Sequence, residues 1–251
     1  MGGVRTLTWD GCHNVRDLGG LPVAGGGETR FGSVVRADSL RELTGVGWAQ
    51  ALDYGVLRVV DLRFSEERAR DTSSEPPVEV VHVSLFGEHD PVAEREWGDR
   101  GRATLSATDM FAHSYTYTVE EHIPSVVGAV SAVAEIDEGC VAIHCFGGKD
   151  RTGIVAALLL SMAGVDDETI GRDYAASDPG LMVLLGSWIA AADNSVERAF
   201  RARVATSPAE AMTRTLAHVR ARWGGAEEYL VTHGVEPDSL TRLRNRLVGA
   251  A

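Results

Sequence analysis

The sequence predicts an α/β layered fold, a central and mostly parallel sheet flanked by helices. Three observations predict it. Largely apolar runs at 56–60, interrupted by Arg58, and at 140–143 lack a polar face, apolar residues recur at helical spacing between and after them, and turn residues punctuate the two patterns. A strand apolar on both faces needs cover on both, and helices supply it.

Along the chain, glycines first surround short apolar runs, Asp17-Leu18-Gly19-Gly20-Leu21-Pro22 and Phe31-Gly32-Ser33-Val34-Val35-Arg36, which reads as strands or hairpins between 16 and 37. A short helix is expected over 48–54. The β-branched run Val56-Leu57-Arg58-Val59-Val60-Asp61-Leu62-Arg63 is a strand with a charged end. Another strand is expected over 78–85, after the loop carrying Pro76 and Pro77, and the polar, turn-rich segment 87–108 reads as a mobile loop. Ile123, Val126, Val127, Val130 and Val133 place a helix over 120–135, followed by a strand at 140–144 and a second helix from about Thr152. After Asp178-Pro179-Gly180, segments 181–192 and 196–204 read as two helices, either packing layers or a lid over about 178–215. Leu230, Val235, Leu240, Leu243 and Leu247 close the chain as one or two helices over 227–247, and a single domain spanning 1–251 is the simplest organisation.

Composition narrows the function. The 251 residues carry 24 Lys and Arg against 36 Asp and Glu, a net charge of −12 that as a whole repels nucleic acid and anionic membranes. No nucleic-acid partner and no stable membrane insertion are expected. The most apolar stretch, 154–163, stops at Gly164 before Asp166, Asp167 and Glu168, so it reads as a buried helix rather than a membrane span. Three cysteines cannot all pair, which fits a reduced compartment. Residues 1–14 contain no apolar run of signal-peptide length, and the formal fit of Met1-Gly2-Gly3-Val4-Arg5-Thr6 to an acylation pattern is too short to carry weight. A cytoplasmic protein is expected.

The informative stretch is His144-Cys145-Phe146-Gly147-Gly148-Lys149-Asp150-Arg151-Thr152-Gly153, set between a predicted strand and a predicted apolar helix. A loop at a helix N-terminus aims backbone N–H groups and the positive end of the macrodipole at one point, which makes an anion site. Gly147 and Gly148 let the backbone curl around the anion, and Arg151 offers a planar fork for two phosphate oxygens. Cys145 opens the loop, where the same positive field favours the nucleophilic thiolate. Attack on phosphorus would give a phosphoryl-cysteine that water hydrolyses. No metal or other cofactor is called for, because the loop itself brings positive charge. The stretch is not a nucleotide-binding P-loop, since Asp150 stands where that motif needs Ser or Thr.

Cys145, five residues, then Arg151 resembles the Cys-x5-Arg signature of the protein tyrosine phosphatase superfamily. The fuller His-Cys-x-x-Gly-Lys-Asp-Arg-Thr-Gly form, with Asn14-Val15-Arg16-Asp17-Leu18-Gly19-Gly20, resembles the PtpB-like family of bacterial tyrosine/serine protein phosphatases. Asp61-Leu62-Arg63 and the glycines at 224, 225 and 234 extend the likeness over most of the chain. The resemblance implies a cysteine-phosphatase-type α/β fold, often with a helical lid, and activity on phosphotyrosine, phosphoserine or phosphothreonine and sometimes phosphoinositides. It also implies a phosphate cradle of Phe146, Gly147, Gly148, Lys149, Asp150, Thr152 and Gly153. Thr152 would stabilise the departing thiolate by a hydroxyl hydrogen bond, and Lys149 would recognise a second anionic group.

Several assignments stay open at this level. The general acid is Asp61, at a strand end, or Asp150, inside the loop; Asp61 also reads as a mere partner of an arginine, and Lys149 as a solvated charge. His144 reads as an orienting, hydrogen-bonded residue ahead of a general base, Arg16 and Asp17 as lining the site or pairing at the surface, and Cys140 as core. Cys12 is a candidate for a reversible disulfide with Cys145. The expected partner is a phosphorylated protein or a small phosphomonoester, with phosphate or sulfate able to occupy the loop. A pathway phosphatase for a small metabolite is the alternative, ahead of rhodanese-like sulfur transfer or a phosphate-binding pseudo-enzyme.

Overall fold

Strands β1 (Arg16–Asp17), β2 (Val34–Ala37), β3 (Val56–Asp61), β4 (Glu79–His82) and β5 (Cys140–His144) form one sheet in the spatial order β1-β2-β5-β3-β4. The computed structural model describes residues 4–71, 75–103, 106–136 and 138–248; Met1 to Gly3, the start of the acylation pattern, lie outside them. β1 runs antiparallel to β2, and the other pairings among these five strands are parallel. The central strand, β5, is buried at every residue. Its side chains alternate between two cores, Val141 and Ile143 to one face, Cys140 and Ala142 to the other. A register shift between Val56 and Arg58 lets Val56 and Val59, an odd number of residues apart, face the same core.

On one face sits α1 (Gly45–Asp53), whose N-terminus is capped by Thr44 Oγ1 accepting from the Gly47 amide at 3.1 Å. It starts three residues before the expected 48–54. The short α2 (Ser65–Ala69) follows β3. The segment expected as a mobile loop, 87–108, instead holds α3 (Pro91–Ala103) and the first two residues of the next helix, with 104–105 outside the described residues. Its polar sequence hid the helix, which Pro91 starts, Asp90 caps by accepting from the Val92 amide, and Trp97 anchors edge-to-face on Phe200.

The helix expected over 120–135 is two helices, α4 (Ala107–Glu121) and α5 (Ile123–Ala134), broken at His122 ahead of Pro124. Proline lacks the amide that would continue the helix, so a new one begins around it. β5 then leads into α6 (Asp150–Met162), buried on nearly every side as its all-round apolar sequence requires. The chain continues through α7 (Asp167–Ala175), α8 (Asp178–Ala190), α9 (Ser195–Val204), α10 (Ala209–Trp223), α11 (Ala226–Thr232) and α12 (Pro237–Val248). Thus α8 and α9 stand where two helices were expected and the C-terminal segment forms two helices, while α7 and α10 had not been anticipated. Among the described residues no helix is long and apolar enough to cross a membrane.

The turn from β5 into α6 leaves the carboxyl end of the central parallel strand. That edge is where open α/β sheets place ligands, because strand ends and helix N-termini meet there.

Candidate active site

His144 closes β5 and Cys145 opens the turn, both about 2% exposed. Gly148 bends it with φ +67°, and a Cβ there would lie 2.6 Å from the backbone of Ala37, so only glycine lets the turn press against β2. The turn is held from outside through its carbonyls. The Ser39 amide donates to Phe146 O at 2.9 Å, Asn14 Nδ2 to Gly147 O at 2.8 Å, and Arg36 Nη2 to Gly148 O at 2.8 Å. In a trans peptide the N–H points opposite the C=O. Three outward carbonyls therefore turn the amides of Gly147, Gly148 and Lys149 inward, and none of these amides donates to another group among the described residues. A nest of free amides at a helix start is an anion site without further side chains.

Arg151, on the first turn of α6, is 8% exposed. Its two Nη groups donate to the carboxylate of Glu67 on α2, and its guanidinium carbon lies 5.2 Å from the ring centre of Phe64 and 5.6 Å from that of Phe86. Burial would lower the Arg151 pKa, but the charges of Cys145 and Glu67 outweigh it and the pKa is raised. Glu67 was not singled out from the sequence. One of two adjacent glutamates in a short helix carries no signal of an arginine 84 residues away.

Thr152 is fully buried with a hydroxyl lacking any partner among the described residues, and Gly153 packs against Tyr174, whose ring lies 3.0 Å from where a Gly153 Cβ would stand. Phe146 is half exposed beside them. Lys149 is not a solvated charge: it is 2% exposed, donates to Asp150 Oδ1 at 2.6 Å and sits 3.6 Å over the Phe111 ring, and burial pulls its pKa down. Asp150 Oδ1 also accepts from the Tyr115 hydroxyl, which is 2.6 Å from that of Tyr174. Burial and the Asp150 charge push the Tyr115 pKa well up, so Tyr115 stays a donor. Asp150 Oδ2 accepts nothing among the described residues, and its side chain is 35% exposed.

Asp61 differs in every respect. It is 2% exposed and held by Arg63 at 2.8 Å, Arg68 at 3.2 Å and His144 at 3.6 Å. Burial opposes ionisation, but the His144 ring and the Arg63 guanidinium outweigh it and hold the carboxyl far below the usual range. His144 Nδ1 lies 3.2 Å from Cys145 O, and burial lowers its pKa. Arg16 and Asp17 are both buried, not surface partners of each other. Successive side chains of β1 face opposite ways: Arg16 reaches Asp173 and Asn14, whereas Asp17 accepts from the Gly19 and Gly32 amides and from Tyr54. Cys12 donates to Ser39 O at 3.7 Å, and burial with the Asp38 charge pushes its thiol pKa up. Cys140 is in the core.

A profile of the tyrosine phosphatase family matches residues 7–249. A tyrosine-protein phosphatase of Nostoc commune is 28% identical over 222 residues, covering 85% of this chain and 73% of that protein. The triple specificity protein phosphatase PtpB of Mycobacterium tuberculosis is 30% identical over 190 residues, 67% of each chain.

Proposed function

Because the chain belongs to the tyrosine phosphatase family and is a cysteine-based phosphatase, we propose that Cys145 carries its chemistry and that phosphotyrosine in protein is its main substrate. The observation that carries the reading is the triplet of carbonyls at 146–148 held from outside the turn, which leaves the amides of Gly147, Gly148 and Lys149 unpartnered among the described residues in the turn that Cys145 opens. The thiolate of Cys145 attacks phosphorus. A P–S bond forms, the P–O bond to the leaving group breaks, and the leaving oxygen takes a proton from Asp150. Water then attacks the phosphoryl-cysteine, gives its proton to the Asp150 carboxylate, and the P–S bond returns its electrons to sulfur, toward which the spare Thr152 hydroxyl donates. Throughout, the amides and Arg151 hold the equatorial oxygens, where charge builds in the transition state.

Asp150 is assigned as the acid over Asp61 because Asp61 is tied into its arginines as a carboxylate, whereas Asp150 keeps an oxygen free and partly exposed. Lys149 and Tyr115 set Asp150 rather than reaching for a second anionic group. An aryl substrate is supported by Phe146 at the rim and by Phe64 and Phe86 beside Arg151. We place the chain's organisation as a single domain over 1–251 with α8 and α9 as lid. Leu181 of α8 comes within 3.1 Å of a Gly147 Cβ position, while Met182, Val183 and Trp188 stay exposed. A cytoplasmic setting fits three free cysteines. The name of the mycobacterial relative extends the candidate substrates beyond phosphotyrosine.

The test compares aryl and alkyl phosphates in EDTA. Asp150→Asn is expected to slow the alkyl ester by about 100-fold to 10,000-fold and the aryl ester less, since a phenoxide leaves without much help. Asp61→Asn should act mainly on stability, and a larger alkyl-selective loss in that variant, per folded enzyme, would transfer the acid role to it. Turnover of metabolite esters with none of phosphotyrosyl peptides would replace the protein substrate class.

A further inference from the structure

Asp173 lies on α7, away from the turn in sequence, yet three arginines converge on it. Its Oδ1 accepts from Arg5 and, at 3.1 Å, from Arg16 Nε; its Oδ2 accepts from Arg36 Nη1 at 2.7 Å. The carboxylate is 3% exposed, and Arg16 and Arg36 are 5% and 1% exposed. Arg16 and Arg36 stand opposite each other on β1 and β2, which is why both reach one carboxylate. Two guanidiniums side by side repel, so the shared carboxylate is what keeps them together. Burial first, then the Arg36 charge, pushes Arg16 down to about 10, so it remains charged at neutral pH.

The far ends of these two arginines matter most. Arg36 spends its other Nη on Gly148 O at 2.8 Å. Arg16 Nη1 donates to Asn14 Oδ1 at 2.8 Å, and the Nδ2 of the same Asn14 donates to Gly147 O at 2.8 Å. One buried carboxylate is thus wired, directly through Arg36 and by relay through Arg16 and Asn14, to two consecutive carbonyls of the turn. Arg36 leaves its Nε without a partner among the described residues while making both ends. A side chain placed only to bury well would satisfy that donor.

We propose that Asp173 is a positioning residue for phosphoryl transfer: by clamping Arg16 and Arg36 it fixes the carbonyls of Gly147 and Gly148 outward, and so holds the amides of Gly148 and Lys149 toward the phosphoryl oxygens. This rests on the reading of that turn as the phosphate site. With the arginines unclamped, the two peptide planes gain freedom to rotate, and donors that must be fixed before the reaction would have to be reoriented during it.

The experiment uses the full chain, an aryl phosphate, and vanadate as a mimic of the five-coordinate phosphoryl group. Asp173→Asn is the direct variant. Arg36→Lys keeps the charge but gives an ammonium too compact to serve Asp173 and Gly148 O together, and Asn14→Ala cuts only the relay to Gly147 O. Rates are expressed per folded molecule, from circular dichroism on the same samples. For Asp173→Asn, Arg36→Lys and Asn14→Ala alike the expected result is a fall in kcat of about 100-fold with KM within about threefold, matched by a similar loss of vanadate affinity. Wild-type kcat and vanadate affinity per folded molecule in Asp173→Asn, or in both Arg36→Lys and Asn14→Ala, whether or not the folded fraction drops, would overturn the proposal and leave Asp173 a structural hub. An inactive wild-type chain would instead sink the phosphatase reading itself.

Discussion

Replacing Cys145 with serine is expected to lower turnover of an aryl phosphate by about a million-fold, the scale seen when a hydrolase loses its nucleophile, while the protein stays folded. The side chain is 2% exposed, and serine is smaller, so no overpacking follows. What changes is the reacting atom: a hydroxyl is protonated at neutral pH, and no base stands beside it to activate it, since the His144 ring faces Cys145 O and Asp61. The anion site should survive, because its donors are backbone amides and Arg151. Calorimetric titration with inorganic phosphate is therefore expected to show binding in Cys145→Ser close to that of the wild type. Retained turnover in this variant would move the nucleophile elsewhere.

Arg151→Lys is expected to reduce kcat by about 1,000-fold or more, within the range measured for arginines that stabilise phosphoryl transfer. Lysine keeps the charge but loses the fork, and a single ammonium cannot hold Glu67 and two phosphoryl oxygens at once. Glu67 occupies one donor on each Nη group, which leaves Nε and the remaining Nη protons for the substrate, so the carboxylate aims the fork instead of blocking it. Glu67→Gln, which keeps the shape and one acceptor, should cost far less than Arg151→Lys. Steady-state kinetics of the two variants check this; an equal loss in both would mean that Arg151 acts only through its pairing with Glu67.

The parts of this protein that were legible in sequence share a cause: their signal is local. Val59-Val60 and Val141-Ala142-Ile143 are apolar on both faces, which only a covered strand explains, and the glycines between Cys145 and Arg151 sit where a strand hands over to a buried helix. The helix at 91–103 was missed because it buries little and its anchor, Trp97, is a single residue in a polar segment whose partner Phe200 lies about a hundred residues on. Glu67 and Asp173 were missed for the same reason in sharper form. Each acts on an arginine brought near only by the folded sheet, Asp173 at 137 residues from Arg36, and no spacing within the chain encodes that meeting. Arg16 and Asp17 show the intermediate case: the motif drew notice to both, but only the pleat of β1 sends Arg16 toward the turn and Asp17 toward Tyr54.

The central claim is that sulfur at residue 145 becomes bonded to phosphorus during turnover. Rapid quench of the wild-type enzyme during hydrolysis of an aryl phosphate, followed by peptide mass spectrometry, tests this directly. The account predicts a phosphoryl group on the peptide containing Cys145, absent in Cys145→Ser. A phosphoryl group on any other side chain, or steady turnover with none on Cys145 at any quench time, would contradict it.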